Sequence, residues 1–180
     1  TIVYSGAAQE LKSQTEIVLT REGAVATIRF VPASGVNIFS SRVIGDLGTV
    51  IDKLAGDART RFVVLRGDGK VFLAGADISE MSAFNEDQGR AFARHGHNVF
   101  NALEALPQIT IAAMNGHALG GGCELSLACD FRLLVKDAKI GSPETRLGLI
   151  PGWGGTLRLP RYVGLGYARK MIFSGEPISA

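Results

Sequence analysis

Three consecutive glycines, Gly120-Gly121-Gly122, stand between an apolar segment and a segment bearing Glu124, and a second glutamate, Glu144, follows the small-residue run Gly141-Ser142-Pro143. A glycine turn lets backbone N–H groups approach a ligand without side-chain obstruction, and a helix start adds unpaired N–H groups and a partial positive charge. That combination suits a developing anion, the requirement of an oxyanion hole, although glycines at such a junction also serve close helix-to-strand packing. If both glutamates open on one edge, they converge beside those N–H groups in a pocket walled by Leu119, Leu147, Leu149 and Ile150. Two carboxylates in a poorly solvated cleft push at least one pKa toward neutrality, the condition for general acid/base work. The plainer alternatives are a helix N-terminal acid after Pro143 for Glu144 and a solvated first-turn acid for Glu124.

Two further loops are built from small residues. Phe72-Leu73-Ala74-Gly75-Ala76-Asp77-Ile78 is a bend with little bulk, suited to reading a ligand through its backbone, and Pro151-Gly152-Trp153-Gly154-Gly155 is a Pro/Gly loop with one packing aromatic, read as a pocket wall. His95 and His97 are two apart on an expected helix and face different directions, which fits solvent or interface roles, and His117 is read as structural. Cys123 and Cys129 are six apart on one expected helix, so they do not form a metal pair and read as buried reduced thiols. No metal site is expected.

The elements that must position these residues follow from periodicity. Residues 1–14 show no sustained period and read as a flexible N-terminal arm ahead of a single core domain at 15–180. Alternating stretches around Ile17–Leu19 and Val25–Phe30 flank Glu22-Gly23 and predict a hairpin ended by Pro32. Ser40 or Ser41 caps a helix carrying Val43, Ile44, Leu47, Val50, Ile51 and Leu54 on one stripe, ending near Gly56. Phe62–Leu65 is a buried strand, and a second helix runs from Glu86 to Leu106. Then come a strand at Ile109–Met114, a turn at Gly116–Gly122, a helix at Cys123–Ala128 and a strand at Phe131–Val135. Helices at Thr156–Val163 and Leu165–Phe173 precede a break at Gly175-Glu176-Pro177. Strands alternating with helices predict an α/β layered fold with mainly parallel pairing, and no repeat of fixed period is visible.

Bulk composition sets limits. Hydrophobic residues make up 46% of the 180 and charged residues 20%, an apolar balance that leaves surplus surface for a subunit interface. A net charge of +2 argues for neither nucleic acid nor an anionic membrane as partner. No apolar run approaches a membrane span, and Thr1–Thr15 has neither a secretory apolar region nor an Arg-rich presequence. The expectation is a cytoplasmic protein, with the mitochondrial matrix left open because the chain lacks an initiator Met.

The ordered set Phe72-Leu-Ala-Gly-Ala-Asp-Ile-Ser-Glu-Met81, Ala113-Met-Asn-Gly-His-Ala-Leu-Gly-Gly-Gly-Cys-Glu-Leu125 and Gly141-Ser-Pro-Glu-Thr-Arg-Leu-Gly-Leu-Ile-Pro-Gly-Trp-Gly-Gly-Thr156 strongly resembles the enoyl-CoA hydratase/isomerase, or crotonase, family over about residues 16–180. The resemblance implies a crotonase-like ββα spiral and a homotrimer or hexamer. It also implies a C-terminal helical trimerisation region that buttresses the acyl pocket and is largely absent from these 180 residues, so that the site is expected to be partly open. Carried across, the oxyanion hole falls on the N–H groups of Ala76 and Gly121. Glu124 is expected to activate water for attack at C3 of a 2-enoyl chain, and Glu144 to deliver the proton to C2. The N–H of Gly152 helps hold the water, and Ala74, Asp77 and Ile78 meet the adenine and pantetheine parts of CoA, with Gly120 and Pro143 also lining the substrate. No cofactor is implied, since CoA arrives as part of the acyl-CoA substrate.

The presence of both acids favours hydratase over isomerase, decarboxylase or retro-aldol activity. Val36-Asn37-Ile38-Phe39-Ser40 departs from the family's commonest loop and leaves acyl-chain preference open. Some relatives bind RNA through a lysine-lined helix, but the corresponding segment from Ser40 to Ala55 holds only Arg42 and Lys53 among Asp46 and Asp52, so RNA binding is not expected. A catalytically silent relative is the remaining alternative.

Overall fold

The computed structural model describes residues 2–4, 15–33 and 35–180. Strand β1 (Ile2–Tyr4) pairs antiparallel with β2 (Thr15–Glu22), which forms the expected hairpin with β3 (Val25–Pro32) around Gly23. Residues 2–4, within the arm expected at 1–14, pair along the edge of β2. The rest of that arm, 1 and 5–14, lies outside the described residues.

Helix α1 (Ser41–Ala55) starts where Ser40 Oγ accepts the Val43 N–H at 3.3 Å, and its buried face is the stripe Val43, Ile44, Leu47, Val50, Ile51 and Leu54. Strands β4 (Phe62–Gly67) and β5 (Val71–Leu73) follow, then the one-turn helix α2 (Ile78–Met81) and the long helix α3 (Glu86–Glu104). Asn85 and Gln88 close a reciprocal capping box at the start of α3. The chain continues through β6 (Ile109–Met114), β7 (His117–Leu119), α4 (Gly121–Leu127), β8 (Phe131–Leu134) and β9 (Lys139–Gly141). A 3₁₀ turn at Pro143–Leu147 leads to α5 (Gly155–Val163), α6 (Leu165–Ser174) and β10 (Ile178–Ser179).

Two sheets organise this order. The larger runs β1-β2-β3-β4-β6-β8, with β3, β4, β6 and β8 parallel, and the smaller runs β10-β9-β7-β5, with β5, β7 and β9 parallel. From β4 onward, each turn of the chain therefore lays one strand in the large sheet, one short strand in the small sheet, and then a helix. This is the mixed α/β, crotonase-like ββα spiral. The segment Gly116–Gly122, read above as a turn, instead contains β7: three residues flanked by glycines carry no alternation long enough to be legible as a strand.

The main core lies between the large sheet and helices α1 and α3, with Phe30, Phe39, Phe72 and Phe100 fully buried. A smaller cluster of Cys123, Leu127, Leu159, Ala168 and Met171 joins α4, α5 and α6. All seven residues of α4 are buried, so this short helix is a central post with no solvent face. Among the described residues no helix is long and apolar enough to cross a membrane.

Candidate active site

The post begins at the glycine triplet, and each glycine is required for its own reason. Gly120 takes φ +53, a conformation that L side chains rarely adopt. A Cβ on Gly121 would stand 2.4 Å from the Trp153 ring, and one on Gly122 would stand 2.3 Å from the Leu73 carbonyl. The packing role and the chemical role therefore coexist: Gly122 brings α4 against β5, and that contact delivers the β5 exit to the start of α4.

At that exit, Gly75 takes φ +111, and a Cβ on it would lie 3.6 Å from the Gly121 nitrogen. Ala76, the next residue, forms a parallel bridge with Phe39 in which Phe39 N–H donates to Gly75 O and Asp77 N–H donates to Phe39 O, both at 2.8 Å. The bridge uses the groups on either side of Ala76 and leaves the Ala76 N–H outside it. Gly121 is the first residue of α4, where an N–H has no acceptor within its own helix. Two backbone donors from adjacent elements thus stand at one junction.

Glu124 lies on the first turn of α4 and is 2% exposed, which removes the solvated-acid alternative. Its Oε1 accepts the N–H groups of Trp153 and Gly155, each at 2.8 Å. Burial pushes its pKa up to about 7; the charge of Glu144 adds to this, and the two N–H bonds and Arg158 oppose it. Glu144 is the second residue of the 3₁₀ turn, and burial raises its pKa as well. Its Oε1 lies 3.3 Å from where a Cβ on Gly120 would be, and its Oε2 is buried with no hydrogen-bond partner among the described residues. Thr145 Oγ1 donates to Ile172 O at 2.8 Å and ties this turn to α6. The two carboxyls, arriving from α4 and from the turn after β9, are near enough for the Glu144 charge to act on Glu124, with Glu144 against Gly120 at the start of α4.

Other residues singled out from the sequence are placed as follows. The Gly120 N–H is spent on Gly141 O, the Ala74 N–H on Asn37 O and the Asp77 N–H on Phe39 O, and the Gly120 and Asp77 carbonyls accept the Glu124 and Met81 N–H groups, so none of these three N–H groups is open to a ligand. The Asp77 carboxylate caps α2 by accepting Ser79 and Glu80 N–H groups, and Ile78 opens that helix exposed to solvent. Pro143 begins the 3₁₀ turn, and Gly152 is exposed at the turn before Trp153. Leu147, Leu149 and Ile150 are exposed, the last at 74%, so the expected wall is an open rim. His117 Nδ1 accepts the Lys139 N–H at 2.9 Å, a structural use. Cys123 and Cys129 are buried free thiols pushed up to about 12. In α1, Arg42 pairs with Asp46 at 3.1 Å.

Trp153 differs from its expected place. It is buried, and its ring meets Phe39, Phe92 and Phe100 edge-on with centroids 5.3–5.5 Å away. It is a core residue lying behind the site, and its backbone reaches the front. Arg158 was not singled out at all. It is 4% exposed, and its guanidinium donates to Trp153 O, Asn101 Oδ1 and Glu104 Oε2 at 2.7–2.9 Å. The one available signal was an arginine three residues after Gly155, next to the apolar Leu159, at the start of an expected helix.

A family model described as enoyl-CoA hydratase/isomerase matches residues 20–180. A short-chain-enoyl-CoA hydratase of Clostridium acetobutylicum is 43% identical over 91% of this chain and 63% of its own. A probable enoyl-CoA hydratase of Bacillus subtilis is 46% identical over 87% of this chain and 60% of its own. The crystal structure of an enoyl-CoA hydratase from Bacillus anthracis superposes with a TM-score of 0.87 at 42% identity, covering 91% of this chain and 64% of that one. The chain spans about three fifths of the length of the curated relatives it matches.

Proposed function

The chain belongs to the enoyl-CoA hydratase/isomerase family, and from that premise we propose that it adds water across the 2,3 double bond of a 2-enoyl-CoA to give the 3-hydroxyacyl-CoA. The observation that carries the reading is the pair of carboxyls, Glu124 buried and Glu144 half-buried, both with raised pKa, set beside the Ala76 and Gly121 N–H groups. The thioester oxygen takes these two N–H bonds and is stabilised as attack at C3 turns the acyl group into an enolate. Glu124, held by Trp153 and Gly155, orients water and accepts its proton, and Glu144 supplies the proton to C2. Water, acyl chain and both carboxyls thus meet at one junction, with the Gly152 N–H beside the water and Ala74, Asp77, Ile78, Gly120 and Pro143 along the substrate.

The reading includes a place in acyl-chain oxidation, a cytoplasmic setting and a homotrimeric or hexameric assembly. Supporting these are the buried free thiols Cys123 and Cys129, which suit a reducing compartment, and an outward sheet face carrying Phe62, Ile109, Phe131 and Leu133.

The test is hydration of a short 2-enoyl-CoA, followed as loss of conjugated-thioester absorbance. Glu124→Gln and Glu144→Gln are each expected to lower kcat by roughly 10²- to 10⁴-fold. Near-normal turnover in either variant rejects the paired-acid reading. Conversion of a 3-enoyl-CoA without hydration of the 2-enoyl isomer assigns the site to isomerisation instead.

A further inference from the structure

Helix α4 alone does not aim Glu124. Its Oε1 is fixed by two N–H groups of the Trp153–Gly155 segment, a tight turn in which Gly154 takes φ +105. The shape of that turn decides where the carboxylate points, so the question is what holds the turn. Arg158 Nη1 donates to the carbonyl of Trp153, the same residue whose N–H holds Glu124, at 2.9 Å. A Cβ on Gly154 would stand 2.1 Å from that Nη1, so the guanidinium fills the inside of the turn. Its other nitrogens are anchored on α3: Nε and Nη2 donate to Glu104 Oε2 at 2.9 and 2.7 Å, and Nη2 also donates to Asn101 Oδ1 at 2.7 Å. A planar fork with every nitrogen occupied has one orientation.

An ion pair in which only the arginine is buried, Glu104 being exposed, is weak evidence of a stability role. Here the cation instead links the longest helix of the domain to the peptide that grips the water-activating carboxylate. Resting on the hydratase reading, we propose that Arg158 is a positioning residue: braced by Glu104 and Asn101, it holds the Trp153–Gly155 turn so that two N–H groups aim Glu124 at water. The charged and titratable groups around Glu124 are Glu144 from the 3₁₀ turn, Arg158 from α5, and the neighbouring Cys123 thiol on α4. His97 of α3 also faces this turn, its Cε1 lying 3.6 Å from where a Cβ on Gly154 would be, on the same side as Arg158. Of these groups, Arg158 alone is a fixed cation.

The experiment compares the intact protein with Arg158→Met, Arg158→Lys and Glu104→Gln. It measures kcat and KM for a short 2-enoyl-CoA, together with the titration of the Glu124 carboxyl by isotope-edited infrared difference, assigned by subtracting the Glu124→Gln spectrum. Arg158→Met is expected to lower kcat by about 10- to 100-fold with KM changed by less than about threefold, since the turn and not the CoA contacts is disturbed. Its Glu124 is expected to titrate at higher pH for want of the cation. Arg158→Lys keeps the charge and loses the fork, so the titration stays near that of the parent while kcat remains down by about tenfold. Should Arg158→Met not fold, Glu104→Gln takes its place, with a several-fold lower kcat and unchanged KM. Folded variants whose kcat and Glu124 titration both match the parent overturn the positioning role. A parent protein that hydrates while its Arg158 variants are indifferent sinks this proposal alone. A parent that does not hydrate, but whose Glu124 titration answers to Arg158, sinks the hydratase reading and leaves the linkage standing.

Discussion

In the proposed reaction Glu124 combines two requirements that oppose each other: water activation needs it ionised, and its place inside the post disfavours the ion. Because its pKa is pushed to about 7, kcat/KM for hydration is expected to climb as Glu124 ionises with rising pH through that value. A pH–rate profile checks this; a profile flat from pH 5 to about 8 contradicts it. The same displacement has a consequence for stability. Between the unfolded value of 4.5 and the folded value of about 7 the native state binds the extra proton, so stability declines as pH rises through that window and is level above it. The cost at high pH is about 3 kcal/mol for a carboxyl moved from 4.5 to about 7. Glu124→Gln, whose amide oxygen can still accept the Trp153 and Gly155 N–H groups, is therefore expected to be inactive and more stable than the parent at pH 8, by urea unfolding. The two glutamates were legible as candidates from their glycine and proline approaches. The depth of Glu124 was not, because it comes from Trp153 and Gly155, about thirty residues further along the chain.

At the scale of elements, α1 and α3 were legible because each carries several turns of apolar spacing and a side-chain cap, both of which are local signals. The strands β5, β7 and β9 were not: each has three residues, and their pairing partners lie 22 or more positions away in sequence, as for Ala118 and Ile140. Those invisible strands are the ones that bring Ala76, Gly121 and Glu144 to one junction. The contact of Gly121 with Trp153 makes the start of α4 intolerant of even a methyl group. Gly121→Ala, with a Cβ 2.4 Å from a ring held by three phenylalanines, is expected to cost about 1–3 kcal/mol in denaturant unfolding and to lower kcat severely. By contrast, Gly89 lies within α3 with nothing within 4 Å of a built Cβ, so Gly89→Ala is expected to raise stability by up to about 1 kcal/mol at unchanged kcat. A stable, fully active Gly121→Ala contradicts the account of the junction.

The whole molecule presents a mixed sheet whose parallel strands have one face covered by α1 and α3 and an outward face carrying an apolar patch. Register aligns Val25, Phe62 and Ile109, and Ile111 with Phe131, across that face, and Leu133 is 63% exposed. Parallel sheets are ordinarily covered on both sides. Under the proposed assembly this face lies between copies, so Phe131→Lys and Leu133→Lys are each expected to lower the mass measured by light scattering while the far-ultraviolet dichroism is unchanged. Retention of the parent mass by both variants places the interface elsewhere. The apolar excess of the composition pointed to such a surface, but its location depends on strand order, which no local pattern encodes. The resemblance of the three motifs conveyed the spiral as a whole. Arg158 escaped notice because its meaning lies in Asn101 and Glu104, more than fifty residues earlier and on another element.

Trp153 is the only tryptophan among the 180 residues, and it is wedged so that Cβ atoms on Gly96 and Gly121 would both touch its ring. These 180 residues therefore carry a single indole, whose peptide N–H donates to the Glu124 carboxylate and whose ring borders Gly121, the proposed oxyanion donor. Its emission belongs to one environment, without the averaging over several indoles that blurs such signals in most enzymes. Ionisation of Glu124, occupation of the junction by a thioester and loosening of the turn by substitution at Arg158 all become readable as changes in one spectrum.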